Sequence, residues 1–141
     1  MMMLEFTEDE RAALAADAVA LPDGSTPDAA TLAVAWAKHV SKLDADRALP
    51  YTDRSVWTEH DLAGSLFLRD NLERALTALR PALRERLADD VRAADEQFRS
   101  FTVEDSGRKI GFIAGVDVAG RGWWWFRVPK DGPIVQDLAS Y

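Results

Sequence analysis

Two histidines, His39 and His60, are the side chains of this sequence that could exchange protons near pH 7 without a shifted pKa. His39 follows Trp36 in a helical pattern, so we interpret it as a helix-surface residue. His60 lies between Glu59 and Asp61, two acids that suit the first turn of a helix. Because the sequence has neither a His-Glu-x-x-His nor an Asp-x-Asp-x-Asp-Gly pattern, it predicts no metal site.

Nucleophilic and phosphate-binding chemistry have no specific motif either. The absence of cysteine excludes thiolate nucleophiles, disulfides and cysteine-ligated zinc. Ser65 stands in AGSLF, which lacks the glycine spacing of a nucleophile elbow and lies inside a helical pattern. The run GVDVAGRG lies between two predicted strands, whereas phosphate-binding loops lead into a helix. The sequence therefore predicts no catalytic residue and no cofactor.

Composition and charge narrow the class of protein. With 48% hydrophobic and 29% charged residues, the 141 residues are typical of a globular chain, and we expect a single domain over 1–141. The net charge of −7 disfavours direct binding to nucleic acid, which requires clustered Lys and Arg, and favours a basic protein partner. The start, MMMLEFTEDER, does not resemble a signal peptide, and no stretch is apolar enough to span a membrane. We expect a cytoplasmic protein without membrane association.

Helical patterns fill the first hundred residues. Thr7 with Glu10, and Thr58 with Asp61, have the spacing of helix-starting caps, and Pro81 suits a first helical turn. Apolar residues recur at spacings of three and four after each start. These patterns predict helices over about 7–20, 26–46, 58–80 and 81–100.

After Phe101 the apolar period changes from about 3.6 to 2, which predicts strands over about 101–105, 108–118 and 122–128. The turns DSGR and AGRG set two hairpin registers that place the same set of apolar residues on one face. The sequence therefore predicts an α+β fold: a four-helix N-terminal part, then a three-stranded antiparallel β-meander packed on the helices. A short apolar segment, 134–139, follows.

Three consecutive tryptophans, Trp123, Trp124 and Trp125, cannot all lie on one face of a strand. On the predicted meander Trp124 lies on the outer face with Phe126 and Ile113. Two interpretations follow. The C-terminal segment covers this face with Ile134, Val135 and Leu138, or part of the face stays open as a partner-binding surface, with Arg121 and Arg127 beside Trp124.

Our leading hypothesis is a non-catalytic acidic binding protein that neutralises or regulates a protein partner. An immunity protein or antitoxin that inhibits a basic toxin or nuclease fits this description. The contact residues of this hypothesis are Trp124, Phe126, Arg121, Ile113 and Arg127, and the acids that speed association are Glu8, Asp9, Glu10 and Asp17.

Two alternatives belong to other classes. The first is a small enzyme or ligand-binding protein with a pocket between helices and sheet, in which His60, Asp61 and Arg127 are the polar groups. The second is a structural homodimer formed by stacking two Trp124 faces.

Overall fold

The computed structural model describes residues 5–141, and 62% of them are helical. The six α-helices are α1 Glu8–Ala16, α2 Ala29–Asp46, α3 Glu59–Ala78, α4 Pro81–Phe101, α5 Arg108–Ala114 and α6 Pro133–Leu138. A 3-10 helix spans Trp123–Phe126, and two strands, β1 Thr102–Glu104 and β2 Arg127–Pro129, form one antiparallel pair. No helix in this part of the chain is both long and apolar enough to cross a membrane. Residues 1–4 lie outside the described residues. They belong to the N-terminal stretch MMMLEFTEDER, which does not resemble a signal peptide.

Side-chain caps define where the first helices begin. The Thr7 hydroxyl accepts a hydrogen bond from the Glu10 amide, and the Glu10 carboxylate accepts one from the Thr7 amide. At α2 the cap is Asp28, whose carboxylate accepts from the Thr31 amide at 2.8 Å. The helix therefore begins at Ala29, three residues after the predicted start at about residue 26.

The core lies between α2, α3 and α4, with α3 at the centre of the molecule. One side of α3 packs on α2, and other parts of it contact α5, α6 and the 3-10 helix. Trp36 of α2 is fully buried and packs on Phe98 of α4, with ring centroids 5.3 Å apart. The segment after α4 therefore covers the part of α3 that α2 leaves open.

The predicted three-stranded meander is wrong, because residues 108–114 form helix α5. Gly107 and Gly115 bracket this helix in the left-handed region, with φ of 78° and 72°, a conformation that glycine adopts at little cost. Ile110 is fully buried while Phe112 is 76% exposed. A strand would place these two side chains on one face, whereas a helix turns them about 200° apart.

The predicted strand over 122–128 is also wrong in most of its length. Trp123–Phe126 form the 3-10 helix, and β2 pairs with β1, with Val103 opposite Val128. Because a 3-10 helix has about three residues per turn, consecutive side chains point in three directions. Each tryptophan therefore has its own surroundings, and none of them needs a second sheet face.

The C-terminal segment folds as α6, in which Ile134 and Leu138 are buried. It packs near α3 and β2. The predicted fold of four N-terminal helices and a three-stranded meander is thus replaced by six helices with one two-stranded antiparallel sheet.

Candidate functional site: a groove beside three tryptophans

The three consecutive tryptophans, here called the tryptophan cluster, connect the chain after α4 to helices α3 and α4. Trp125 is fully buried and meets the Phe67 ring edge-on at 5.1 Å. Trp124 is 4% exposed, and the Arg69 guanidinium lies over its ring, 4.2 Å from the centroid. Trp123 is half-buried beneath the Arg99 guanidinium at 3.8 Å. Two arginines of the helices therefore stack on two of the indoles, which favours fixed ring orientations.

One carboxylate of α3 holds the cluster by its polar atoms. Asp70 Oδ1 accepts hydrogen bonds from Trp124 Nε1 and Trp125 Nε1, both at 2.8 Å. Its Oδ2 accepts from Arg121 Nη1 at 2.9 Å. The same carboxylate thus satisfies two buried indole donors and ties the loop before the 3-10 helix to α3.

A second carboxylate, that of Asp95, fixes the position of the Arg69 guanidinium. Asp95 of α4 forms a two-point pair with Arg69, Nε to Oδ1 and Nη2 to Oδ2, each at 3.0 Å. Asp95 Oδ1 also accepts from Trp36 Nε1 at 2.9 Å, and Arg69 Nη1 donates to Glu73 at 3.0 Å. Because Arg69 and Asp95 are buried, the guanidinium over Trp124 has little freedom to move.

An open groove of about 630 Å³ lies beside the cluster, between the C-terminal half of α3 and the loop that leads into the 3-10 helix. We call it the Trp124 groove. Its lining consists of Asp70, Glu73, Arg74, Thr77, Arg121, Gly122 and Trp124. A Cβ at Gly122 would overlap the Trp124 ring, so glycine at this position is what lets the ring lie against the loop.

A smaller groove of about 420 Å³ lies on the Trp123 side of the cluster. Arg127 lines it and is held by Thr102: its Nε donates to Thr102 Oγ1 at 2.9 Å and its Nη2 to the Thr102 carbonyl at 2.8 Å. Phe126 is partly buried against the core. This groove is lined by Arg99, Glu104, Asp105, Trp123, Phe126 and Arg127.

The structure separates the five predicted contact residues. Arg121 and Trp124 line the Trp124 groove, Phe126 and Arg127 line the smaller one, and Ile113 packs partly buried against the core. The open Trp124 face is absent because the meander that would present it is absent. Arg69 and Trp123 lie against the Trp124 ring, while Ile134 and Leu138 of the C-terminal segment are buried in the core near α3 and β2.

The predicted acidic residues lie on or next to α1. Glu8 and Asp9 are exposed in its first turn, and Asp17 is the residue that ends it. Glu10 is engaged, because it accepts from the Thr7 amide and pairs with Arg86 of α4. The Thr7 hydrogen bond and then the Arg86 guanidinium lower the pKa of Glu10. Glu8 and Asp9 are therefore the acids of this set that face solvent.

The alternative pocket of His60, Asp61 and Arg127 does not assemble. His60 is exposed, with Nε2 3.8 Å from a Glu59 oxygen, and Asp61 caps α3 by accepting from the Thr58 amide. Among residues 5–141, no hydrogen bond or ion pair joins Arg127 to His60 or Asp61. Nor does this part of the chain contain a group of three or more His, Cys, Asp or Glu residues that could hold a metal ion.

Sequence reasoning missed a pairing of His39 with Ser65. His39 Nδ1 lies 2.7 Å from Ser65 Oγ, and that hydroxyl donates to the Asp61 carbonyl at 2.9 Å. Which of the two atoms donates is set by the tautomer of the imidazole. Burial lowers the pKa of His39, and the Asp61 charge opposes this effect. Ser65 is fully buried, so the pair is a packed hydrogen bond between α2 and α3 rather than an exposed nucleophile and base.

The residues of α3 that line the groove were also not identified from the sequence, although their spacing is visible there. Asp70, Glu73, Arg74 and Thr77 recur at spacings of three and four and so form one polar stripe of the helix. The stripe can be read from the sequence. The loop that faces it cannot, because its position depends on the 3-10 helix.

The chain was compared with protein-family models, curated proteins and solved structures, and none of the three comparisons found a match.

Proposed function

We propose that this chain is a cytoplasmic binding protein that neutralises or regulates a basic protein partner, and that the Trp124 groove receives an apolar side chain of that partner. The observation that carries the proposal is the rigid construction of the groove. Trp124, one of its lining residues, is held by the Asp70 hydrogen bond and the Arg69 stack. A preformed groove binds at a lower entropic cost than one that must be ordered by its ligand.

The distribution of charge supports a basic partner. The chain carries a net charge of −7, and Glu8 and Asp9 are exposed on α1. Such a field raises the rate of encounter with a positively charged protein and has less effect on the dissociation rate. An inhibitor of a basic toxin or nuclease, of the immunity-protein or antitoxin kind, is the class of function that we propose.

The groove itself is tested by blocking it. Thr77 is exposed on the α3 wall, and its neighbour Ala78 is exposed on the same helix without lining the groove. Random peptides displayed on phage are selected on the wild-type protein, and their affinity is then measured for Thr77→Trp and for the matched control Ala78→Trp.

We expect the selected peptides to carry an aromatic or large aliphatic residue together with Lys or Arg. Their affinity should fall at least about 10-fold for Thr77→Trp and stay unchanged for Ala78→Trp, because a filled groove excludes the anchor side chain. Equal affinity for the wild type and Thr77→Trp would reject the groove as the binding site.

Steering by the acidic helix is tested separately. The double variant Glu8→Gln/Asp9→Asn should slow association with a selected basic peptide and leave its dissociation rate nearly unchanged. The difference from wild type should shrink when the salt concentration is raised, since screening removes it. A change confined to the dissociation rate would contradict steering by these two acids.

A further inference from the structure

A second surface surrounds Phe112 on α5. None of its residues lines the Trp124 groove. Phe112 is 76% exposed, more than any other large hydrophobic side chain of the described residues. Tyr141, 42% exposed, meets its ring at 6.1 Å. Isolated exposed apolar residues are ordinary, but two aromatic rings packed on each other in solvent form a projecting apolar knob.

A pocket of about 250 Å³ is lined by residues that lie close in sequence to both rings of the knob, Lys109 on α5 and Leu138 and Ala139 before Tyr141. We call it the Leu138 pocket. Lys109, one turn before Phe112 on α5, forms part of its wall and donates from Nζ to the Leu138 carbonyl at 3.1 Å. The complete lining is Asp105, Lys109, Val128, Pro129, Val135, Leu138 and Ala139. Most of these side chains are apolar, and the space suits a phenyl ring.

We propose that a second copy of this chain binds here, forming a two-fold symmetric dimer in which each Phe112 enters the Leu138 pocket of the other copy. A two-fold interface must be self-complementary, since each surface meets its own duplicate. A knob and a pocket side by side on one surface meet that condition, because the rotation that seats one ring also seats the other.

The charges beside the knob and the pocket complement each other in the same arrangement. Arg108 lies four residues before Phe112 and therefore on the same side of α5. It is exposed, and no hydrogen bond or ion pair within residues 5–141 engages its guanidinium. Asp105 lines the pocket. Within the described residues, its carboxylate accepts a hydrogen bond only from the Gly107 amide. When Phe112 enters the pocket of the other copy, Arg108 approaches the Asp105 carboxylate there.

The size of this surface sets the expected strength. A knob-and-pocket contact of this extent belongs to the small, weak class of interface, so we expect a dissociation constant of the order of 100 μM. Two chains of charge −7 also repel each other, and this repulsion is screened beyond about 8 Å at physiological salt. The dimer would present two Trp124 grooves to a partner that has more than one binding site.

Sedimentation velocity from about 10 μM to about 1 mM, at physiological salt, measures the equilibrium directly. The wild type should shift from monomer to dimer over this range. Phe112→Ala should weaken the dimer at least about 10-fold. Leu49→Ala, which truncates an exposed apolar residue in the loop after α2 that lines none of the grooves described, should leave it unchanged. A wild type that stays monomeric throughout, or a dimer indifferent to Phe112→Ala, would overturn the proposal.

Charge reversal tests the pairing of the two copies. Arg108→Asp alone and Asp105→Arg alone should each weaken self-association, because each homodimer then places like charges at both contacts. An equimolar mixture of the two variants should recover a heterodimer at about wild-type strength, since both contacts are again attractive. Circular dichroism confirms that each variant is folded. Failure of the mixture to recover, with both variants folded, would reject this arrangement of the copies.

Discussion

At the scale of single residues, Asp70 determines how three adjacent tryptophans can be accommodated. Burying an indole leaves its N–H without water, and each such donor requires an acceptor. Trp124 and Trp125 share one carboxylate oxygen, while the other oxygen holds Arg121. The burial of two indoles and the position of the loop therefore depend on one side chain of α3.

Asp70→Ala should lower the free energy of unfolding by about 2–4 kcal/mol, because it leaves two indole donors without an acceptor. Asp70→Asn keeps one carbonyl oxygen for the indoles and loses the charge that Arg121 faces, so we expect a loss of about 1 kcal/mol. Urea denaturation followed by tryptophan fluorescence measures both. The exposed Asp89→Ala is the matched control, with an expected change within about 0.5 kcal/mol. Equal effects of Asp70→Ala and Asp89→Ala would contradict the role of Asp70.

His39 gives a second prediction, on pH. Burial holds the pKa of His39 below its unfolded value, despite the opposing charge of Asp61. Between the two pKa values the unfolded chain binds a proton that the folded chain does not. Stability from this residue is therefore complete above the unfolded pKa of about 6.5 and is lost as the pH falls toward the folded pKa. Urea denaturation at several pH values between about 7.5 and 5 should show this decline in the wild type and a smaller one in His39→Gln. Parallel pH profiles would show that His39 does not cause the decline.

At the scale of elements, the sequence predicts a helix or strand correctly where the residues that determine it lie close together in the chain. The cap of α1 depends on side chains within one turn, so Thr7 and Glu10 are enough to place its start. In residues 108–118 the alternation of apolar residues fits a strand, but Ile110 and Ile113 also have helical spacing. Tertiary contacts decide between them: a Cβ at Gly111 would crowd Val118, so α5 and the following loop pack closely.

The same argument explains which part of the site was predictable. The sequence indicates that Trp124 and Arg121 are neighbours near a turn, and both do line the groove. It does not indicate Asp70 as their partner, because that contact joins residues more than fifty positions apart. An Asp on the polar side of a helix is ordinarily a solvated residue.

The loop before the 3-10 helix provides a test by glycine substitution. Gly122→Ala should lower the free energy of unfolding by about 1–3 kcal/mol, because the new Cβ overlaps the Trp124 ring. Gly122 has an ordinary φ of −63°, so backbone strain does not contribute. Gly64→Ala, inside α3 with open space around it, should instead raise the free energy by about 0.5–1 kcal/mol. Thermal denaturation compares the two, and a neutral Gly122→Ala would show that the ring has room to move.

The pair of Arg69 and Asp95 should couple α3 to α4. Arg69→Met leaves a buried carboxylate without its partner, which should cost about 3–5 kcal/mol. In an Asp95→Asn background the same replacement should cost at least about 1 kcal/mol less, because no buried charge remains. Urea denaturation of the four proteins completes this cycle. Arg11→Met, at an exposed position of α1, should be additive with Asp95→Asn, and additivity for Arg69 as well would contradict the coupling.

At the scale of the whole molecule, α3 is packed from several directions. Helix α2 packs on one side, while α5, α6 and the 3-10 helix contribute further contacts. The chain after α4 supplies a substantial apolar part of the core: Ile110, Trp124, Trp125, Ile134 and Leu138. The chain after α4 is therefore part of the folded core, and the Trp124 groove exists where that segment meets α3.

A chain that ends at Phe101 tests this dependence. It keeps α1 to α4 but exposes the surface of α3 on which Trp124 and Trp125 pack, together with Phe67. We expect the fragment to retain helical circular dichroism, to lose cooperative urea unfolding and to bind the dye ANS, as expanded states with exposed apolar surface do. Adding a peptide of residues 102–141 should restore a cooperative transition, because the peptide carries five hydrophobic core residues that the fragment lacks. If the fragment alone unfolded as sharply as the whole chain, α2, α3 and α4 would form a self-sufficient core, and the tryptophan cluster would be an addition to its surface.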